Sequence, residues 1–144
     1  MTAMTCSKWT GHHRILCVEE NAFALYANAT VLSYEGYEAQ TCSDPMEAVV
    51  IVRSQDIDVV VVDYHMSGMN GAELAAYCKA VNPKTKVILF SEVTGIPKRE
   101  LALADLFVAK TDEIQALLEG MRMLLSRGRI DAQFDFRQFA AAAA

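Results

Sequence analysis

The chain has 144 residues, of which 53% are apolar and 22% are charged, and its formal net charge is −5. This length suits one domain with one hydrophobic core, and the acidic balance argues against a nucleic-acid partner, because binding to a phosphate backbone needs a basic surface. No apolar run approaches the roughly 18 to 20 residues that span a bilayer, so we predict no membrane partner.

Apolar periodicity and turn residues divide the chain into alternating strands and helices. Helix starts are indicated by Asp44-Pro45 and by Thr111, and a helix end is indicated by Gly36. The predicted elements in chain order are a strand at 14–18, a helix at 22–34, a weak strand at 37–41, a helix from 45, a strand at 57–62, a helix through 74–81, a strand at 86–90, a short helix within 98–103, a strand at 106–109 and a helix ended by Gly128.

The strand at 57–62 indicates the class of fold. It is β-branched and apolar nearly throughout and does not alternate with polar residues, so both of its faces should be buried. Such strands belong to parallel sheets that helices cover on both sides. The alternation of strands and helices therefore predicts a doubly wound α/β domain with right-handed crossovers. We assign the domain to residues 13–127, with a flexible segment at 1–12 and a C-terminal tail of unknown role at 128–144.

Apolar residues at helical spacing should face this sheet. The residues predicted to form the apolar helix faces are Met46, Val49 and Val50 in the second helix, Leu74, Tyr77, Cys78 and Val81 in the third, and Ile114, Leu117, Leu118, Met121, Leu124 and Leu125 in the last.

The four cysteines, Cys6, Cys17, Cys42 and Cys78, are widely spaced and form no C-x-x-C pair. This pattern favours reduced thiols over a disulfide or a zinc site, with Cys17 and Cys78 as small core residues. The first dozen residues lack the apolar core of a signal peptide. We therefore expect a cytoplasmic protein.

Charged and polar residues stand at the carboxyl ends of four predicted strands. They are Glu19 and Glu20, Asp63, Ser91 and Lys110. Binding sites of open parallel sheets form at this edge. Clustered carboxylates repel one another unless a cation joins them, and Mg²⁺ commonly uses one or two carboxylates with waters and a phosphate. Because a lysine suits a phosphoryl oxygen, we predict a site for a phosphoryl group and Mg²⁺, with Asp63 as the nucleophile.

Each of these residues also has an ordinary structural explanation. Glu19 and Glu20 could be loop acids, and Asp63 could cap the turn that follows it. Ser91 could be a strand-end hydroxyl, and Lys110 a solvated surface lysine. Their joint placement on four strands favours a common site.

Four segments, ILCVEEN, VVVVDYHMSGMNG, VILFSE and LFVAK, follow one another between residues 15 and 110. Together they resemble the receiver domain of bacterial two-component response regulators. The resemblance implies a flavodoxin-like (CheY-like) sheet of five parallel strands in the order 2-1-3-4-5. Because the stretch between Ser91 and Lys110 is short, we expect a short or mobile fourth helix.

The resemblance also implies a role for individual residues. Asp63 would accept a phosphoryl group from the phosphohistidine of a sensor histidine kinase or phosphotransfer protein. The implied Mg²⁺ ligands are Glu19, Glu20, Asp63 and the backbone carbonyl of His65. Ser91 matches the hydroxyl residue that turns toward the phosphoryl group, Phe107 the aromatic switch residue, Lys110 the lysine that pairs with the phosphoryl oxygens and Gly71 the glycine that opens the third helix.

The sequence departs from the family pattern at four positions near the site. Glu20 stands where Asp is usual, so its carboxylate lies one methylene further out. Glu92 stands where Ala or Gly is usual and could crowd a phosphoryl donor. Ser67 stands where Pro is common, and Thr111 replaces the Pro that usually follows the lysine.

These observations support a stand-alone receiver that is phosphorylated and signals through protein contacts with an unknown downstream partner. We expect no enzyme activity beyond self-catalysed phosphoryl transfer and autodephosphorylation. A pseudo-receiver that binds proteins without phosphorylation is the alternative, suggested by Glu20 and Glu92. An enzyme of the acid phosphatase or dehalogenase class, which also uses an aspartate nucleophile, is disfavoured. That class has the pattern D-x-D at its nucleophile, whereas here His65 stands in the position of the second aspartate.

Overall fold

The computed structural model describes residues 13–111 and 114–127. Its elements in chain order are β1 (Arg14–Val18), α1 (Ala22–Tyr34), β2 (Glu38–Cys42), α2 (Pro45–Ser54), β3 (Val59–Val62), α3 (Gly71–Val81), β4 (Lys86–Ser91), α4 (Lys98–Leu101), β5 (Leu106–Ala109) and α5 (Ile114–Arg127). The strands form one parallel sheet in the order β2-β1-β3-β4-β5. The predicted fold and strand order are confirmed.

The sheet separates two apolar layers, because successive side chains of a strand point to opposite faces. In β3, Val59 and Val61 join the layer that contains α1 and α5. Val60 and Val62 join the layer that contains α2 and α3. All four valines are buried, so this strand is covered on both faces as its sequence indicates.

The helix starts follow from side chains that satisfy free backbone N–H groups. Asp44 accepts from the backbone N–H of Met46 at 3.2 Å, and Pro45 is the first residue of α2. Asn70 and Glu73 form a reciprocal capping box that starts α3 at Gly71. The predicted starts of α2 and α3 are thus confirmed.

The predicted apolar faces were wrong in part for α2 and α3. Met46 and Val50 are 55% and 60% exposed, and Tyr77 is 52% exposed. In α2 the residues against the sheet are Ala48, Val49 and Val52, which lie on one helical face. The small Ala48 is buried on this face whereas Met46 and Val50 are exposed, so the helix is rotated away from the face that its bulkier residues suggested. The apolar stripe of α5 is confirmed.

Two strands begin later than predicted. Strand β2 starts at Glu38 rather than 37, and β3 starts at Val59 rather than 57. Before β3, the backbone N–H of Arg14 donates to the side chain of Asp58 at 2.8 Å. The Asp58 carboxylate thus bonds to the backbone of β1 immediately before β3 begins.

The fourth helix is the single turn Lys98–Leu101, and none of its residues is buried. The predicted short fourth helix is therefore confirmed. The flexible segment predicted at 1–12, the residues 112–113 that follow the predicted helix start at Thr111, and the tail at 128–144 with Gly128 lie outside the described residues.

The cysteines that the structure describes, Cys17, Cys42 and Cys78, are free and buried, so the core role of Cys17 and Cys78 is confirmed. Burial raises the pKa of both the Cys17 and Cys78 thiols to about 12. Within the described ranges, no helix combines the length and hydrophobicity needed to cross a bilayer.

Candidate functional site

A cleft of about 480 Å³ opens at the carboxyl ends of the strands. Five predicted site residues line it together: Glu19, Asp63, His65, Ser91 and Lys110. The parallel register explains this convergence. Val18 lies opposite Val62, so Glu19 and Asp63 follow their strands at the same level of the sheet. Likewise, the backbone N–H of Lys110 donates to the carbonyl of Ser91 at 2.9 Å.

Lys110 is the cation of this cleft. Its Nζ donates to Glu19 Oε1 at 2.6 Å and lies 3.9 Å from Asp63 Oδ2. The side chains of Lys110, Glu19 and Asp63 are only 16%, 7% and 15% exposed, so water screens their charges weakly. One ammonium and two carboxylates leave a net negative charge that a further cation would balance.

The Ser91 side chain is buried at the floor of the cleft. Its Oγ accepts from the backbone N–H of Val93 at 3.2 Å. A hydroxyl can donate one hydrogen bond while it accepts another, so the Ser91 hydroxyl can still donate to the oxygen of a bound group. Phe107 is half-buried on β5, opposite Leu89, and packs against the layer of α2 and α3. The structure does not place Phe107 in the lining of the cleft.

Glu20 takes a different position from Glu19. It is exposed, does not line the cleft, and accepts from the backbone N–H of Ser67 at 2.7 Å and from its hydroxyl at 3.3 Å. Over the described ranges, no three His, Cys, Asp or Glu side chains form a group that could hold a metal ion. Glu19 and Asp63, two of the carboxylates that line the cleft, still fit Mg²⁺. This ion commonly takes one or two carboxylates and completes its shell with water and phosphate oxygens.

The loop after Asp63 is bound to α4 by a contact that the sequence did not indicate. The hydroxyl of Tyr64 donates to Glu100 in a short hydrogen bond, which raises the pKa of Tyr64. The carbonyl of Tyr64 accepts from the N–H of Gly71 at 2.8 Å. Glu100 and Gly71 lie 36 and 7 positions from Tyr64 in the sequence. No local sequence pattern indicates the contact with Glu100.

Glycine at 71 follows from the close approach of β3 and α3. A Cβ built there would overlap the carbonyl oxygen of Asp63 and lie 2.9 Å from Cδ2 of Leu89. The missing side chain thus lets the first turn of α3 pack against the backbone of the predicted nucleophile.

The mouth of the cleft carries Phe23, His65, Glu92 and Val93 among its lining residues. Phe23 is 89% exposed, and the side chains of His65 and Glu92 are exposed. The carboxylate of Glu92 therefore lies at the entrance of the cleft.

Comparison with known proteins identifies the family. The family model "Response regulator receiver domain" matches residues 15–124. The transcriptional regulatory protein TcrA of Mycobacterium tuberculosis is 30% identical over 120 residues, which cover 81% of this chain and 47% of that protein. The response regulator MprA of Mycobacterium ulcerans is 25% identical and covers 82% of this chain and 52% of that protein. This chain thus spans about half the length of the curated relatives it matches.

Solved structures give the same result. The response regulator protein TrrA of Thermotoga maritima, in complex with Mg²⁺-BeF, has 27% identity and a TM-score of 0.73, and covers 78% of this chain and 98% of its own. TrrA in complex with the histidine kinase ThkA gives 28% identity and a TM-score of 0.73, with the same coverage. A CheY-like receiver of Methanospirillum hungatei, with 21% identity and a TM-score of 0.74, covers 81% of this chain and 95% of its own, and shows the shared fold. The match over residues 15–124 therefore shows that this chain belongs to the response regulator receiver domain family.

Proposed function

We propose that this domain accepts a phosphoryl group on Asp63 from the phosphohistidine of a sensor histidine kinase or phosphotransfer protein. The observation that carries the proposal is the cleft in which Asp63 lies 3.9 Å from Lys110 and beside Glu19, at the end of the buried strand β3. In the transfer, an Asp63 oxygen forms a bond to phosphorus while the bond from phosphorus to the imidazole nitrogen breaks. The imidazole keeps the electron pair and takes up a proton.

Mg²⁺ would be held by Glu19, Glu20, Asp63 and the backbone carbonyl of His65, and Glu20 would turn from its contact with Ser67 to reach it. When bound, it supplies positive charge to the phosphoryl oxygens during the transfer. The two carboxylates of the cleft support this proposal through their chemistry, and the Mg²⁺ complex of TrrA supports it by similarity.

Lys110 and Ser91 would change their contacts when Asp63 is phosphorylated. Lys110 is bound to Glu19 before transfer, and a phosphoryl oxygen on Asp63 offers it a second anionic partner. The hydroxyl of Ser91 would donate to another phosphoryl oxygen, and Phe107 would move inward as Ser91 shifts. The two states then differ by specific contacts, as a switch requires.

The output would be a protein contact that depends on this switch. Similarity to TrrA, which has been solved with the histidine kinase ThkA, supports a kinase as the upstream partner. A downstream protein partner and a cytoplasmic location are also part of this proposal. The free thiols of the described cysteines are compatible with that location.

A protein-binding pseudo-receiver is the second candidate. It is favoured by two observations: Glu20 is bound to Ser67 instead of lining the cleft, and Glu92 stands at the mouth. Both features would weaken phosphoryl transfer without disturbing the fold.

Intact-mass measurement after incubation with Mg²⁺ and a small acyl-phosphate donor separates the two candidates. We expect one added phosphoryl group on the wild type and none on Asp63→Asn, because the amide is not a nucleophile of this kind. Chelation of the metal should abolish the adduct. A folded wild-type sample that takes up no phosphoryl group under these conditions would support the pseudo-receiver.

A further inference from the structure

Helix α1 (Ala22–Tyr34) contains no charged residue, and its outer face carries exposed aromatic side chains. Each of the other described helices contains both an acidic and a basic residue. Phe23, Tyr26 and Tyr34 are 89%, 75% and 89% exposed, the largest exposed fractions among the large apolar side chains of the described residues. A helix that is apolar on every side is normally covered on every side. The outer face of α1 therefore indicates a contact surface.

The exposed residues of α1 form one continuous strip. Phe23, Tyr26, Thr30 and Tyr34 are separated by three, four and four positions, so they lie above one another on one side of the helix. All four are exposed, and we name them the α1 strip. The helix has 13 residues and is about 20 Å long. A strip of this length suits an elongated segment of protein and not a small ligand.

The C-terminal tail at 128–144, which lies outside the described residues, has a sequence that matches this strip. Residues 130–137 read I-D-A-Q-F-D-F-R, in which apolar and polar residues alternate, and Phe139 follows shortly after. Such alternation gives an extended segment one apolar side and one polar side. The apolar side of this segment contains Ile130, Phe134 and Phe136.

Helix α5 brings the start of the tail to the end of α1. Both helices pack on the same layer of the core. Gly120 packs against Leu106, the first residue of β5, so α5 runs back toward the amino edge of the sheet. Helix α1 joins the parallel strands β1 and β2 and therefore runs the same way. Burial raises the pKa of Tyr37, which follows α1, and the positive charge of Arg122 on α5 opposes this shift, because the two side chains are near each other. The tail thus begins on the side of Tyr34.

The tail is long enough to follow the α1 strip. Ile130 and Phe139 lie three and twelve positions beyond Arg127, the last residue of α5. Twelve residues of extended chain span up to about 40 Å, which is about twice the length of α1. Because the tail is tethered to the domain, its docking is intramolecular and has the high effective concentration of a short linker. This tether favours the tail over a free partner of similar composition.

We propose that the C-terminal tail docks on the α1 strip of its own molecule through its apolar residues, Ile130, Phe134, Phe136 and Phe139. Docking removes apolar surface of both segments from water, and the polar residues of the tail remain solvated. Phe23 also lines the mouth of the cleft, so the docked tail lies beside that entrance. The docking does not rest on the function proposed above.

Limited trypsin digestion of the full chain, followed by intact mass, tests the docking at Arg137. Cleavage within a docked segment depends on the undocked population. The triple variant Phe23→Ala, Tyr26→Ala, Tyr34→Ala removes the aromatic rings of the strip and should be cleaved after Arg137 at least about tenfold faster than the wild type. Tyr77→Ala is the matched control, because Tyr77 is an exposed aromatic residue of α3, and it should be cleaved at the wild-type rate. Equal rates in the triple variant and the wild type would overturn the proposal and leave the α1 strip to another protein.

A second measurement leaves α1 unchanged. The full-length variant Phe134→Ala, Phe136→Ala, Phe139→Ala should shift the NMR amide signals of α1 and leave those of α3 in place. The wild-type signals of α1 should not depend on protein concentration, because the contact lies within one molecule. Unshifted α1 signals in the variant would contradict the docking. A concentration-dependent shift in the wild type would assign the α1 strip to a second copy of the chain and would also overturn the proposal.

Discussion

At the scale of single residues, the site depends on space as well as on charge. Gly71 is the first residue of α3, and its missing side chain makes room for the backbone of Asp63 and the side chain of Leu89. Strand β3 and the helix after it can lie this close only because position 71 has no Cβ. Glycine at this position is therefore required by packing and not by an unusual φ.

Gly71→Ala is expected to destabilise the domain by about 1–3 kcal/mol, because overpacking against a backbone atom cannot be relieved by a rotamer change. Chemical denaturation of the variant measures this loss. Gly120→Ala is the matched comparison, since a Cβ there lies 2.6 Å from the flexible end of Leu106 and alanine favours a helix interior. A smaller loss at position 71 than at position 120 would contradict this account.

At the scale of elements, side-chain contacts attach α4 to the rest of the domain, because the helix itself is too short to be stable alone. The helix has one turn and no side-chain cap, and none of its residues is buried. Glu100 accepts from Tyr64, the residue next to Asp63. A change in the loop after Asp63 can thus be passed directly to α4 through this hydrogen bond.

Tyr64→Phe removes this hydrogen bond and keeps the ring. We expect faster amide exchange in Lys98–Leu101 and a loss of about 1 kcal/mol in unfolding free energy, the usual net contribution of one hydrogen bond. Exchange measured by mass spectrometry, together with denaturant unfolding, checks both. Tyr26→Phe serves as the control because Tyr26 is exposed on α1. Equal exchange of α4 in the two variants would show that Glu100 does not anchor the helix.

At the scale of the whole molecule, the sheet divides the core into two layers, and each contains a buried thiol. Cys17 lies in the layer of α1 and α5, and Cys78 lies with Cys42 in the layer of α2 and α3. Burial raises the pKa of the Cys17 and Cys78 thiols from the ordinary 9.0 to about 12. In the folded state these two thiols therefore stay protonated well above neutral pH.

The raised thiol pKa values predict alkaline destabilisation. The folded state keeps both protons up to about pH 12, whereas unfolded thiols ionise near 9.0, so the stabilisation is complete below pH 9 and is lost as the pH rises toward 12. Denaturant midpoints at pH 8 and pH 10 measure the loss. The double variant Cys17→Ala, Cys78→Ala should lose less over this interval. An equal loss in both proteins would show that the thiols do not contribute.

Much of this molecule could be predicted from residues that act locally or through strand register. The unbroken valines at 59–62 indicated the buried strand, and parallel register brought Glu19, Asp63, Ser91 and Lys110 into one cleft. The rotation of α2 could not be read from its sequence, because small Ala48 competes with larger neighbours for the buried face. The contacts from Glu20 to Ser67 and from Tyr64 to Glu100 span 47 and 36 positions, and no local pattern encodes such a separation.

The ion pair of Lys110 and Glu19 joins residues that are 91 positions apart. A ribosome makes the strands that carry Glu19 and Asp63 before it makes β5, which lies at the edge of the sheet beside β4. A nascent chain that has assembled β1 to β4 presents two cleft carboxylates without their ammonium partner. Asp63 and Lys110 therefore come together only when β5 has been translated and has docked. A partly synthesised domain thus lacks the positive charge that the finished cleft contains.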